Sequence, residues 1–457
     1  MARHQAWTHS ARGLAVEILL TTVRGEHFLN EALDRTLMAS DLGERDRALC
    51  TQLAYGTMQR HVTLEAFLAH LVPKPNGLKR WHRELLYLSF YQYYYLDHIP
   101  DHAIVNEAVK LTKERGHRSQ ARLTNGVLRR AFREYASASE FVAAIATAPE
   151  IQQALTYSLP LAWLKYFKQY WSAKDLEALL ASTLTSSVPC IRIPERHKDR
   201  LAEIKQEFLD KGWQLEKSDL AERVYRVRGG NPAHTQAFQA GWLTIQDEAA
   251  VLPARLLAPQ PGSRVLDACA APGGKTVQLA EKVGPSGEVW ANDFYEHKLK
   301  LIEENTSRMG VASQVHPQAH DARDLSRVFK PASFQHILVD APCSGLGLLR
   351  RKPDIKFHRS PRDLKEFQEK QLEILRGVLP LLQKGGSFVY STCTITPEEN
   401  QNVVEKILTE QPELRLVNAA AALHLPEDLQ QAGPYLDIAP QQFQSDGFFM
   451  AKFVREK

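Results

Sequence analysis

The chain has 457 residues, 44% of them hydrophobic and 24% charged, with 24 glycines and 24 prolines, a make-up that excludes collagen-like, coiled-coil and wholly disordered proteins. That length is about three times a mid-sized domain and predicts two or three domains, not one core. The net charge of +4 is unevenly placed: residues 1–134 carry 19 Lys/Arg against 14 Asp/Glu, and the remainder is close to neutral, so any polyanion is expected on the first third. Residues 1–140 read as helices, because apolar side chains recur at three and four residue steps: Leu14, Ile18 and Leu19; Leu85, Leu88 and Phe90; Leu123, Val127 and Leu128. The aromatic run Tyr91 to Tyr95 is assigned to the core of such a helix. Over 141–238 the pattern is broken by Pro149, Pro160 and Pro189, and β-leaning runs at 189–193 and 224–227 flank a helical 201–209 stretch, predicting a small α+β connector.

Residues 239–457 alternate. Strands are predicted at Arg264 to Cys269, Glu288 to Asp293, His336 to Asp340 and Ser387 to Thr392, with helices around 274–283, 296–309, 362–382 and 398–409 and a final β-rich run at Gly447 to Val454. This is the rhythm of a parallel sheet covered by helices. Thr396 and Glu399 have capping-box spacing, with Pro397 at the first helical position. No apolar run approaches the roughly 18 residues of a membrane span. Met1-Ala2-Arg3-His4-Gln5 lacks a signal-type apolar block, so a cytoplasmic protein is expected. The five cysteines, Cys50, Cys190, Cys269, Cys343 and Cys393, are too scattered for a disulfide framework or a zinc site, and no metal is expected.

Ligands of open α/β sheets sit outside the carboxyl ends of the strands. The first of these strands runs into Asp267-Ala-Cys-Ala-Ala-Pro-Gly-Gly-Lys-Thr276, where small residues admit a ligand close to the backbone and a helix start offers free N–H groups. The string is neither a P-loop nor GxGxxG. Asp293, 26 residues after Asp267, has the chemistry to accept hydrogen bonds from a ribose diol. Two thiols, Cys343 beside Asp340 and Cys393, belong to neighbouring strand ends, which favours nucleophilic chemistry over two small core residues. A nucleoside-type cofactor, a thiolate and an acid suit methylation of cytosine at carbon 5: the thiolate adds to carbon 6, and the acid answers the charge developing near nitrogen 3. The target base must be unstacked, which favours single-stranded or loop RNA. Spacing leaves open which cysteine attacks.

The strings DACAAPGGKT, DAPCSG and STCT, with SDGFF at 445–449, resemble the motifs of the RNA cytosine-5 methyltransferases that use S-adenosylmethionine. Glu44-Arg-Asp-Arg-Ala and Leu123-Thr-Asn-Gly-Val-Leu-Arg-Arg130 resemble the antitermination factor NusB. The combination is similar to the bacterial small-subunit ribosomal RNA methyltransferase B family. It implies a multidomain chain: an all-α NusB-like RNA-binding domain over 1–140, the α+β connector over 141–238, and a Rossmann-like α/β methyltransferase domain over 239–457. It further implies that Cys393 attacks, that Cys343 helps release product and that Asp340 contacts both donor and cytosine. Cys269, Ala270, Ala271, Pro272, Gly273, Gly274, Lys275, Asp293 and Asp321 would hold the cofactor. The family often reads Gly-Asp-Gly where this chain has His320-Asp321-Ala322. The substrate implied is 16S ribosomal RNA and the enzyme a monomer; transfer RNA as the target, and a non-catalytic RNA-binding assembly factor, are the rivals. Two thiols and an acid argue against the latter. Arg350, Arg351 and Lys352 offer a phosphate contact or, more simply, a solvated basic face.

Overall fold

The computed structural model describes residues 7, 9–97 and 99–456; the leader reading at Met1 to Gln5 lies outside them. The chain divides into two compact units, Met1–Thr185 with Leu349–Pro361, and Ser186–Leu348 with Arg362–Lys457. The three-part division expected from composition is finer than this one.

Among the described residues the first unit holds helices and no strand. Its main helices are α1 (Ala11–Val23), α2 (Leu29–Met38), α3 (Glu44–Leu71), α4 (Arg80–Tyr95), α5 (Asp101–Arg115) and α6 (Arg118–Glu134), followed by four shorter ones, α7 (Ala138–Ile145), α8 (Pro149–Thr156), α9 (Leu161–Phe167) and α10 (Ala173–Ser182). The apolar positions expected to face inward do so, including Leu14, Ile18, Leu19, Leu85, Leu88, Phe90, Val127 and Leu128. Leu123 does not, being 36% exposed. Of the tyrosines in the aromatic run only Tyr91 is buried; Tyr94 and Tyr95 pack partly exposed against the core, and Tyr93, also partly exposed, stacks on Phe132 at 3.8 Å. Phe141 is sandwiched between Phe67 and Tyr135 at 3.9 and 4.0 Å. Gly56 of α3 is what lets α4 approach, since a Cβ there would lie 1.9 Å from the Tyr91 ring.

Leu349–Pro361 is part of this helical unit although it begins 164 positions beyond Thr185. The buried Asp354 carboxylate accepts from the Leu29 N–H at the start of α2 (3.0 Å), where an N-terminal donor lacks an intrahelical partner. The buried Lys356 ammonium donates to the carbonyl oxygens of Gln59 and Ser158 at 2.7 and 2.8 Å. Arg350 is likewise buried, which corrects the expectation of a solvated basic face there.

The second unit has two sheets. The smaller is antiparallel, in the order β2-β3-β1-β4, from β1 (Cys190–Arg192), β2 (Gln214–Lys217), β3 (Val224–Arg228) and β4 (Thr244–Ile245). Helix α11 (Leu201–Asp210) packs on it through Ile204 and Phe208 against Ile191 and Val227. The larger sheet contains β5 (Arg264–Asp267), β6 (Glu288–Asp293), β7 (Val315–Ala319), β8 (Phe334–Asp340), β9 (Leu382–Thr392), β10 (Leu414–Val417), β11 (Leu436–Ile438) and β12 (Phe448–Arg455). Its order is β10-β12-β9-β8-β5-β6-β7, with β11 also on β12. Strands β5 to β9 are mutually parallel and β12 runs antiparallel to β9. Side chains alternate between two cores. Val265, Leu338 and Val389 enter one, with Val277 and Ala280 of α12 (Gly274–Val283). Leu266, Ile337, Val339, Phe388 and Tyr390 enter the other, with Leu372 and Leu375 of α14 (Leu364–Val378) and Val403 and Ile407 of α15 (Gln401–Glu410). Helix α13 (Glu296–Arg308) follows β6. A sheet buried on both faces needs apolar residues at successive positions, which is why these strands are legible.

Candidate active site

The chain leaves β5 to build β6 and β7 on one side, then returns to build β8 and β9 on the other. The carboxyl ends of β5 and β8 therefore flank a topological switch point, where open sheets bind ligands. Asp267, Asp293 and Asp340 each close a strand at this edge. Asp267 is buried; its Oδ2 accepts from Thr276 Oγ1 at 2.7 Å, while Oδ1 has no hydrogen-bond partner. Burial pushes its carboxyl up to about 7, with Thr276 opposing. The turn that follows needs glycine at 273, where φ is +101° and a Cβ would sit 3.1 Å from Ile302 Cα. Helix α12 starts immediately after it, so the N–H groups of its first turn face the strand ends.

Asp293 is fixed by two backbone donors, Ala271 N–H on Oδ2 and Tyr295 N–H on Oδ1, both at 3.2 Å. Next to it in sequence, Asn292 ties three strand ends together: its Nδ2 donates to the carbonyls of Ala268 and His320 at 3.0 and 3.1 Å, and its Oδ1 accepts from His320 N–H at 3.1 Å. Asn292 holds the backbone at His320 through side-chain bonds, and neither His320 nor Ala322 adopts the positive φ that favours glycine. Asp321 is engaged by Arg323, at 2.7 Å from Nη2 to Oδ2, and that guanidinium holds its carboxyl below the usual range. Burial pushes the Cys269 thiol well up, and the carboxylates of Asp267, Asp293, Asp340 and Asp321 add to the shift. These groups thus share one electrostatic neighbourhood.

Asp340 is pinned at both oxygens. Lys275 Nζ donates to Oδ2 at 2.7 Å and Ser391 Oγ to Oδ1 at 2.8 Å; Lys275 also lies over the Phe448 ring at 5.1 Å. Beyond Asp340, the Cys343 and Cys393 sulfurs approach to 3.4 Å. That contact and burial push the Cys343 thiol well up. Both cysteines are partly exposed. Glu399, expected in a capping box, caps no helix: α15 begins at Gln401 with Asn400 before it. Its buried carboxylate accepts instead from Ser344 N–H at 2.8 Å, Thr396 Oγ1 at 2.8 Å and Gln371 Nε2 at 3.0 Å, and from Ser344 Oγ. Thr396 spends its hydroxyl on that side chain, and the turn over 397–400 precedes the helix.

The residues expected to hold the cofactor and to act on the ring thus gather at one edge, with the cofactor string following β5, the acids at the ends of β6 to β8 and the thiols just beyond β8 and β9, whereas Arg350, Arg351 and Lys352 belong to the helical unit. Asn292, the pairing of Lys275 with Asp340, and Glu399 as a loop anchor were not legible, because each joins segments far apart in sequence. Among the described residues no group of three or more His, Cys, Asp or Glu is arranged to hold a metal ion, and no helix is long and apolar enough to cross a membrane.

Residues 254–454 match the family described as 16S rRNA methyltransferase RsmB/F, and residues 9–133 match the NusB family. The probable ribosomal RNA small subunit methyltransferase B of Bacillus subtilis (strain 168) is 37% identical over 454 residues, covering 98% of this chain and 99% of its own length. A protein of the same description from Synechocystis is 32% identical over 452 residues, covering 98% and 99%. The crystal structure of PH0851 shares the fold at a TM-score of 0.81 and 24% identity, covering 98% of this chain and 99% of that one. With a strand-end site of this kind and full-length relatives above 30% identity, the chain belongs to the 16S rRNA methyltransferase RsmB/F family.

Proposed function

We propose that this chain methylates carbon 5 of a cytosine in 16S ribosomal RNA, with S-adenosylmethionine as donor and a covalent bond between Cys393 Sγ and carbon 6 of the ring. The observation that carries it is the pair of thiols 3.4 Å apart beside an acid whose two oxygens are fixed by Lys275 and Ser391. The strand-end residues fit the cofactor. A buried carboxylate oxygen without a partner, Asp267 Oδ1, is matched to a donor such as an ammonium, and the left-handed turn at Gly273 leads into the start of α12. Cys269 to Lys275, Asp293, Asp321 and Asp340 would hold the cofactor, whose bound form supplies an electrophilic methyl group.

The steps assigned to this chain are these. The Cys393 thiolate adds through Sγ to carbon 6, and nitrogen 3 takes a proton delivered through Asp340, whose Oδ2 holds Lys275 Nζ, so that the ring becomes a neutral enamine. Carbon 5 of that enamine takes the methyl group, whose former bonding pair stays with the donor. The proton on carbon 5 then leaves to a base, the carbon 6 to sulfur bond breaks, its electron pair returns to Cys393, and nitrogen 3 gives its proton back. Cys343 stands against that sulfur to assist release. The helical unit is assigned to RNA: its α6 carries exposed arginines at 118, 122, 129, 130 and 133, and the first 134 residues hold the positive surplus.

Incubating the protein with S-adenosylmethionine and undermodified 16S RNA or transfer RNA, followed by mass mapping, tests the assignment. We expect 5-methylcytidine at one position in 16S RNA. Product only in transfer RNA would move the substrate, and no product in either would overturn the proposal.

A further inference from the structure

Glu399 is a fully buried carboxylate that touches neither cysteine, yet its position between their two loops is specified by many bonds. Four donors converge on it, from Ser344 N–H, Ser344 Oγ, Thr396 Oγ1 and Gln371 Nε2. Gln371 Nε2 also donates to Pro342 O at 3.1 Å, so the residues on both sides of Cys343 are tethered to one buried cluster. The loop of Cys393 is tied to the same cluster. Ser344 Oγ meets Thr394 Oγ1 at 2.8 Å, and the Tyr390 hydroxyl donates to Glu399 O at 2.6 Å. Asn400, the next residue, accepts from Thr392 Oγ1 at 2.6 Å and donates to Thr394 O at 3.1 Å. A carboxylate is kept in such a place only when its desolvation is offset by charge-assisted bonds.

We infer that Glu399 is a positioning residue for product release, holding the Pro342 to Ser344 turn so that the Cys343 thiol stays against Cys393. Its effect is chiefly geometric: the Cys393 contact and burial come before Glu399 in raising the Cys343 thiol, and burial raises the Glu399 carboxyl itself while its hydrogen-bond donors oppose the shift. The inference rests on the cysteine roles proposed above.

The test uses the full chain with S-adenosylmethionine and 16S RNA. It compares single-turnover methylation, steady-state turnover, and protein–RNA adduct surviving a denaturing gel in the parent, Glu399→Gln and Cys343→Ala. Gln keeps an acceptor oxygen but loses the charge and points an N–H₂ at the donors. We expect Glu399→Gln to methylate in a single turnover within about threefold of the parent, to lose about tenfold or more in steady-state turnover, and to accumulate adduct as Cys343→Ala does. Parent-like turnover overturns the inference, as does a parallel fall of both rates without adduct, which would mark Glu399 as a fold residue only. Should Glu399→Gln lack a cooperative melt, Ser344→Ala removes one hydroxyl donor and keeps the backbone N–H; a folded Ser344→Ala without adduct equally overturns it. Adduct in Cys343→Ala but not in Glu399→Gln removes this inference alone, whereas its absence from Cys343→Ala removes the cysteine roles beneath it.

Discussion

Lys275 and Asp340 stand 65 positions apart and meet at 2.7 Å, a contact that joins the first turn of α12 to the end of β8. The pair is partly buried, so the bond is worth more than a surface salt bridge. Replacing Lys275 with Met is expected to leave Asp340 without its cation and to lower single-turnover methylation by about 10- to 100-fold with a small change in melting temperature; a rate within threefold of the parent would contradict the role given to the pair. Gly56 makes a stability prediction of the same local kind. Gly56→Ala drives a methyl into the Tyr91 ring, so calorimetry should show a loss of about 1–3 kcal/mol, and an unchanged melt would mean that α4 moves aside freely. At this scale the sequence was readable for position, since both thiols and Asp293 lie at the strand ends where their place in the sequence put them. It was mute where a residue acts through a distant partner: Glu399 has capping-box spacing, but Ser344 competes for it from 55 positions away.

Elements that bury both faces were readable, and edges were not. Strand β7 was missed because it carries Pro317 and polar residues and lies at the end of the sheet order, where a missing N–H faces no neighbour. The short β10 occupies the other edge. Two histidines on interior elements, His82 buried and His336 half-buried, contribute to the response to acid, while Asp267, raised to about 7 by burial, acts in the opposite sense. His82 of α4 bonds to Thr124 Oγ1 at 2.8 Å and His336 of β8 to Ser387 Oγ at 2.9 Å; burial lowers each ring to about 4, with His117 and Lys452 adding to the respective shifts. The unfolded chain takes up these protons below about pH 6.5 and the folded chain only near 4, so the stability they contribute is complete above pH 6.5 and is lost as pH falls toward 4. Because only the histidine contribution is lost by the variant, the melting temperature of His82→Gln should fall less than that of the parent, or rise more, between pH 7 and 5; an identical slope in the two would take His82 out of the acid response.

The two units differ in charge as well as in fold: residues 1–134 hold the positive surplus, and α6 carries exposed arginines on which the RNA assignment proposed above rests. Substituting Arg118, Arg122 and Arg129 together with Glu is expected to weaken RNA binding and to reduce the slope of log affinity against log salt by roughly 2 or more; an unchanged slope would remove α6 from the RNA footprint. No periodicity showed that Leu349–Pro361 folds with the helical unit, because Asp354 and Lys356 read as surface charges and become buried only through partners in the first 160 residues. The covalent step is tested most directly with 16S RNA carrying 5-fluorocytosine, whose carbon 5 has no proton to lose, so that the adduct persists after methyl transfer. Peptide mapping of the trapped complex should find the RNA on the fragment bearing Cys393; attachment at Cys343, or a methylated product without any adduct, would contradict the account.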